Sequence, residues 1–539
     1  MPQGILLVIA KIFKNITCNN PMSFIEKTKK WLDNRYNLIL VVIILFALFL
    51  RLKYFDINHL SLWWDEATYL ATGRYWAFGE TLWAVEAARP PFFMLLIALF
   101  YKLGLGEIGI RFFTVVIPSL FIVFFTYLLG KEFYNEKVGL IAALLASVSW
   151  MFLFNISRVH SDLLAVVFGL GAIYFFWKGY VTPEKNNAFY LILMGLFLGL
   201  GYLTRLSNLL VLGIIGFYLI ITEQHKFLKR NGLWYALIAL VLISLPYMIW
   251  GHFHYGSYIP WAAQYGAGAG DAVARPLAWN VFTVTEMYLV PAMWPWLGKL
   301  ASIKHDFILY ALFFVGLLVT LRFLLGIDVI IKNKDKNLNA DLMTCLIVLI
   351  TFMFFVVIQR DLGDPRWQMF AASGMFLIIG RGVIWLYDYF KKYSKAGTII
   401  LLFILLFIGS ISQITQNDSL LKGKMTGEAG IKSAAEWIKQ NSEKGDWILS
   451  NNIHAEMTYW ADRPTRGFGR DEEDTLKVIE EIKPVFLVTT SYFNSLDWTY
   501  ELPSKHTDLL TPVAAFDIYG KPLVSAEQNP TIVIYKVDI

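Results

Sequence analysis

Apolar runs of membrane-crossing length recur near 36–55, 109–130, 138–156, 162–178, 187–203, 206–222, 233–250, 306–325, 341–358, 367–386 and 397–414. As helices of about 15 to 22 residues they can cross a hydrocarbon core, and together they predict a mainly α, polytopic membrane bundle of about eleven crossings. A shorter run, 90–105 (PPFFMLLIALFYKLGL), decides on which side every later loop lies. If it lies along one leaflet as a juxtamembrane helix, then KEFYNEK (131–137), KGYVTPEK (178–185), EQHKFLKR (223–230), IKNKDKN (331–337) and YDYFKKYSK (387–395) all share the side of the basic N-terminus. Five basic loops on one side are what the positive-inside rule asks for. The expectation is a cytoplasmic lead-in at 1–35 and a transmembrane unit at 36–415. Its first outer loop is long, 56–108, and further outer loops lie at 156–162, 203–206, 251–305 and 358–367.

Past residue 416 the periodicity changes. AGIKSAAEWIKQN (429–441) and DTLKVIEEI (474–482) have helical apolar spacing, whereas DWILS (446–450), PVFLVTT (484–490) and TIVIYKV (531–537) read as strands. This predicts a small α/β domain, 416–539, on the outer face.

Composition agrees with a membrane protein: 57% of residues are apolar and 16% charged, against about 25% charged in soluble domains. The net charge of +6 resides largely in the loops between spans, so it reads as topology and not as a nucleic-acid surface. Cys18 and Cys345 are too few and too far apart for a disulfide framework or thiolate metal site. No GxGxxG or GxxxxGK[ST] pattern occurs in a suitable context, so no nucleotide cofactor is expected.

The chemistry-bearing residues fall in the loops assigned to the outer side. Asp65 and Glu66 sit in SLWWDEATYLATGRYW, which can form an interfacial helix with Trp63, Trp64, Tyr69, Tyr75 and Trp76 at headgroup depth. Acids at a helix start also favour the dipole, which is the plainer account of the pair. Arg89 precedes Pro90 and Pro91, where a cation can neutralise a lipid phosphate or simply snorkel. SRVHSD (157–162) brings Arg158, His160 and Asp162 into one turn, in which Arg158 and Asp162 could instead pair with each other. Arg205 caps a tight hairpin, and RDLGDPRWQM (360–369) adds Arg360, Asp361, Asp364 and Arg366. Arginines are unexpected on that side and need a reason, which a phosphate-bearing lipid supplies. The 251–305 loop contributes Arg275, Glu286, His252, His254 and several tryptophans, suited to sugar stacking or to a flap over a lipid tail.

WWDEATYLATGRYWAFG, ARPPFFMLL, GIRFFTVVIPSLFIVFFTYLLGKEFYNEKVGLIAALLA and SRVHSD, in this order over residues 37–222, resemble the N-terminal core of the GT-C glycosyltransferases. Within them the nearer resemblance is to the protein O-mannosyltransferase and lipid A aminoarabinose transferase group. The family's Asp-Glu pair falls on Asp65 and Glu66 and its basic-Pro-Pro element on Arg89–Pro91, with Arg in place of the usual His or Lys. Its span-heading Arg falls on Arg111, its basic turn on Lys131–Lys137, and its second acidic turn on Arg158–Asp162. PRW at 365–367 is similar to the Pro-Arg-Tyr element of many relatives.

The resemblance implies a sugar donor carried on polyprenyl phosphate. Topology favours the same donor, because nucleotide sugars are cytoplasmic and the constellation faces outward. In that reading Asp65 is the general base towards a hydroxyl acceptor, Glu66 holds the acceptor or a neighbouring Arg, and Asp162 orients the sugar. Arg89, Arg158 and Arg366 bind the donor phosphate. Tyr69, His160, Arg205 and Arg275 are further substrate-binding candidates. Single displacement with inversion is expected. A divalent cation, if one binds, would sit on Asp65 and Asp162. The acceptor is open among protein, lipid and glycan. A lipid-linked sugar flippase or secondary transporter, and a non-catalytic scaffold presenting 416–539, are the alternatives; crowding of the charges at one face speaks against both.

Overall fold

The computed structural model describes residues 31–55, 62–80, 89–182, 187–260, 303–326, 335–354, 365–425, 429–493, 495–523 and 530–538. Most of the lead-in, together with Arg275, Glu286, Arg360, Asp361 and Asp364, lies outside them. Among the described residues ten helices are long and apolar enough to cross a membrane, or eleven if one bent pair is a single span. They are α1 (Arg35–Lys53), α4 (Glu107–Phe133), the bent pair α5 and α6 (Glu136–Val148 and Trp150–Ser157), α7 (Asp162–Val181), α8 (Asn187–Thr204), α9 (Leu206–Glu223), α10 (Asn231–Tyr255), α11 (Phe307–Gly326), α12 (Lys336–Met353), α13 (Met369–Phe390) and α14 (Lys395–Lys422).

Two shorter helices precede α4: α2 (Trp64–Phe78), which stops at Gly79 in the left-handed conformation, and α3 (Phe92–Lys102). At 11 residues α3 is about 16 Å long, roughly half of what a crossing needs. The 90–105 run therefore forms a helix too short to count as a crossing, as expected.

Small residues set the helix crossings near the core. A Cβ on Gly130 would come within 2.6 Å of the Gly139 Cα, so α4 and α5 approach backbone to backbone through their glycines. The bend between α5 and α6, 41°, frees carbonyls at the end of α5. Arg51 of α1, completely buried, takes them up: its Nη1 donates to the Ser147 carbonyl at 2.8 Å, and its Nε to the Ser119 hydroxyl of α4 at 2.8 Å. A buried cation thus compensates a broken helix. That break aims α6 and the 157–162 turn back across the bundle end.

Residues 429–538 form a five-stranded sheet of order β2-β1-β3-β5-β4, with β1 Ile448–Ser450, β2 Thr465–Gly467, β3 Phe486–Thr490, β4 Leu510–Phe516 and β5 Ile532–Val537. β2, β1 and β3 are parallel; β5 and β4 join antiparallel. Helices α15 (Ala429–Gln440) and α16 (His454–Ala461) cover one face, and α17 (Glu472–Ile482) and α18 (Asp497–Lys505) the other. The expected α/β layer structure is present. The strands β2 and β4 and the helices α16 and α18 were not anticipated: a three-residue strand and helices of eight and nine residues leave too little periodicity to read, and β4 carries Pro512 within its seven residues.

The sheet domain packs on α2 through α16. Ala455 is buried among Leu62, Ala67, Leu70 and Phe93, and the Tyr459 hydroxyl donates to Glu107 at 2.8 Å. This changes the picture of α2: residues Glu66–Thr72 are buried between bundle and sheet domain, and Tyr69, expected at headgroup depth, is 8% exposed.

Candidate functional site

The start of α2 brings the two acids to different environments. Glu66 points inward and is 1% exposed. Its Oε2 accepts from the Trp63 amide at 2.9 Å, closing the N-terminus of α2, and from Arg158 Nη1 at 2.9 Å. Its Oε1 accepts from the Val159 amide at 2.7 Å and faces Arg111 Nη1 at 3.4 Å. Arg111 in turn binds Glu107 and the Ser157 carbonyl. Glu66 therefore ties α2, the head of α4 and the 157–162 turn together. Burial alone would raise its pKa; Arg158, Arg111 and the Trp63 amide outweigh burial and hold it to about 2.

Asp65 faces the other way and keeps 29% of its side chain exposed. Arg89 Nη1 lies 2.9 Å from Oδ1, and Arg366 Nη1 lies 3.0 Å from Oδ2. The two arginines, 277 positions apart in sequence, arrive from the turn before α3 and from the 3₁₀ turn Pro365–Gln368 that leads into α13. Burial would raise the Asp65 pKa, but Arg89, with His160 and Arg366, holds it well below the usual carboxylate range.

Around this clamp the remaining residues fall into place. His160 is 1% exposed, and Arg366 Nη1 lies 3.0 Å from its Nδ1. Burial first and the Arg366 cation second keep the imidazole neutral, with a pKa down to about 3. The Arg158 guanidinium stacks 4.0 Å from the centre of the Trp63 ring, and Arg89 lies over the Tyr69 ring at 5.0 Å. Tyr69 exchanges a 3.1 Å hydrogen bond with Ser161. Asp162, at the first turn of α7, pairs with Arg205 at 2.6 Å, while Arg158 pairs with Glu66.

The structure thus brings Asp65, Arg89, Arg366, His160 and Tyr69 into one contact network. Arg158 belongs to the enclosed Glu66 cluster at 2% exposure, and Asp162 with Arg205 forms an adjoining pair. Asp65 and Asp162 each face arginine, and among the described residues no three His, Cys, Asp or Glu side chains gather as a metal site.

Two cavities meet the turn that carries Arg366. One of about 40 Å³ lies between Asp162, Arg205, Asn208, Thr351, Phe370 and Arg366 itself. The other, of about 530 Å³, opens among α6, α11, α12, α13 and α14; Trp150, Leu309, Phe313, Val348 and Met375 line it, with Gln368 and Gln413 as polar members. The buried Gln368 Nε2 has no hydrogen-bond partner among the described residues. Neither Gln368 nor Arg51 stood out in the sequence, since one follows a motif and the other ends an apolar run.

Comparison with known proteins agrees with this architecture. Residues 88–250 match the family model of dolichyl-phosphate-mannose-protein mannosyltransferases. An uncharacterised protein of Aquifex aeolicus is 28% identical over 147 residues, a match that spans 27% of this chain and 29% of that protein. Among solved structures, ArnT of Cupriavidus metallidurans, determined bound to undecaprenyl phosphate, aligns with a TM-score of 0.64 at 13% identity over 92% of this chain and 97% of its own. An Archaeoglobus fulgidus oligosaccharyltransferase tethered to an acceptor peptide aligns at 0.60, with 12% identity over 93% of this chain and 75% of its own. The mycobacterial arabinofuranosyltransferase AftD aligns at 0.55 and 12% identity over 93% of this chain and 40% of its own.

Proposed function

From the premise that this chain has the fold of the GT-C glycosyltransferases, we propose that it moves a sugar from a polyprenyl-phosphate donor to a hydroxyl acceptor on the extracytoplasmic face. The observation that carries the proposal is the Arg89–Asp65–Arg366 clamp, whose Arg366 sits in the same 3₁₀ turn as Gln368, a lining residue of an apolar cavity. A donor of this class needs apolar volume for its chain and cations for its phosphate, and the 530 Å³ cavity runs to the turn that supplies one of the two arginines.

In the reaction the acceptor oxygen attacks the anomeric carbon as the bond from that carbon to the phosphate oxygen breaks. The acceptor proton passes to Asp65, and polyprenyl phosphate leaves with the electron pair, giving inversion. Phosphate leaves readily, so cations at the leaving oxygen serve better than an added acid. Arg89 and Arg366 fill that role; Tyr69 and neutral His160 hold them in position. Asp162 and Arg205, beside the small cavity, are placed to orient the sugar.

The clamp also orders the steps. Between two guanidinium groups Asp65 is a poor base, because efficient general bases have pKa values nearer the working pH. A donor phosphate competes for the same two cations. Once they turn to it, Asp65 loses its counter-charges and becomes more basic at the moment an acceptor needs it. Donor therefore binds before acceptor.

The test uses membranes containing the full chain and labelled polyprenyl-phosphate sugars of several kinds, one of which wild type should consume into membrane product. Consumption of every donor at the rate of the Asp65→Asn variant would overturn the transferase reading.

A further inference from the structure

The sheet domain has a feature that its role as a cover over α2 does not need. The chain leaves β1 through α16 on one face of the sheet to reach β2, and returns through α17 on the other face to reach β3. The connections from β1 and β3 therefore diverge at their carboxyl ends, the arrangement in which parallel sheets open a ligand crevice. Asn451 bridges the split, its Oδ1 accepting from the Thr490 amide at 2.8 Å and its Nδ2 donating to the Thr490 carbonyl at 3.3 Å. Asn452, exposed and held at φ 56°, donates from Nδ2 to the Ser495 hydroxyl at 2.7 Å. Asparagine is among the few side chains that adopt this conformation at low cost.

The crevice opens beside the reacting end of α2. Two residues beyond Asn452, the His454 imidazole meets the Trp64 indole edge-on with ring centres 4.0 Å apart, and Trp64 is the neighbour of Asp65. Burial keeps His454 neutral, with a pKa down to about 4. Among the described residues neither of its ring nitrogens has a hydrogen-bond partner, although a half-buried imidazole ordinarily finds one.

We propose that His454, which faces Trp64, forms the acceptor subsite together with Asn452 and Ser495, and that the acceptor presents a sugar hydroxyl to Asp65. This rests on the transferase reading. The three side chains are neutral and offer both donors and acceptors, which matches a polyol and gives an anionic headgroup nothing to pair with. The partly exposed indole supplies the flat apolar surface on which the C–H face of a pyranose rests. The sheet domain thereby contributes acceptor specificity to a base carried by the membrane bundle.

The test uses the full chain in lipid nanodiscs with two readouts. Saturation-transfer NMR with methyl α-glucoside, methyl α-mannoside and a Ser/Thr hexapeptide reads the acceptor side, and native mass spectrometry with undecaprenyl phosphate reads the donor side. At least one methyl glycoside should bind wild type and lose about fivefold in signal in His454→Phe, the size of one net hydrogen bond. His454→Asn, which keeps a donor and an acceptor, should recover most of it, and undecaprenyl phosphate should bind all three proteins alike. The inference is overturned by glycoside binding that ignores His454→Phe, by binding of the peptide alone, or by loss of both ligands in His454→Phe, which would mark a structural residue. Undecaprenyl phosphate bound without any glycoside defeats this inference alone, whereas absence of undecaprenyl phosphate binding defeats the transferase reading beneath it.

Discussion

Of the two carboxylates at the start of α2, Glu66 takes two backbone amides and two arginines in an enclosed cluster, while Asp65 takes two arginines and stays partly exposed. The difference lies in what could replace the partners. Backbone amides of Trp63 and Val159 are fixed by the chain, so nothing can draw them from Glu66 without opening the fold. The partners of Asp65 are side chains, one of which lines a cavity, and an incoming anion can take both. A buried, saturated acid is architecture, and a half-open acid held only by side chains is poised for exchange.

The comparison breaks most sharply at Asp65 itself. Asp65→Asn should leave thermal stability within about 1 kcal/mol of wild type and lower sugar transfer by roughly 10³-fold, the scale of a lost general base. Retained transfer would move the base elsewhere. Glu66→Gln should do the converse, since it strips the counter-charge from enclosed Arg158 and Arg111. A stability loss of about 3 kcal/mol or more is expected, read as a lower unfolding midpoint in detergent. A folded variant that merely lost turnover would put Glu66 in the chemistry.

Smaller effects sharpen the picture. Arg366→Ala should raise the apparent KM for donor by about 10- to 100-fold, the range of one charged hydrogen bond; an unchanged KM would return Arg366 to a purely structural role. Stability should also depend on pH with a definite sign. Between an ordinary 4.5 and a folded value of about 2 for Glu66, and between 6.5 and about 3 for His160, the unfolded chain binds protons that the folded chain does not. Stability therefore falls as pH falls through both windows, first from about 6.5 and more steeply below about 4.5. In His160→Asn the upper part of that slope should become shallower in a plot of unfolding midpoint against pH, with His454, lowered to about 4, keeping its own share.

Much of the architecture was legible because long apolar helices and basic loops are strong, redundant signals. The eleven apolar runs all reappear as helices, and the 90–105 run, which parity left out of the crossings, holds a helix of only 11 residues. The acid pair, Arg89 and the 157–162 turn could be read as motifs. Their partition could not: which oxygen meets which arginine depends on contacts such as Asp65 with Arg366, which periodicity does not carry. Arg158 reads in sequence as a phosphate ligand beside Asp162, yet in space Trp63 and Glu66 enclose it, because the bend after α5 turns it inward. The switch point at β1 and β3 was hidden for a different reason, since β2 is only three residues long and without it the crossover cannot be counted.

Native mass spectrometry of the full chain with undecaprenyl phosphate tests the exchange at Asp65 most directly. If Asp65 and the donor phosphate compete for Arg89 and Arg366, Asp65→Asn should bind the lipid at least as tightly as wild type while transferring no sugar, and Arg366→Ala should bind it more weakly. Loss of lipid binding in Asp65→Asn to the level of Arg366→Ala would contradict the account, because the carboxylate would then be holding the site together and not guarding it.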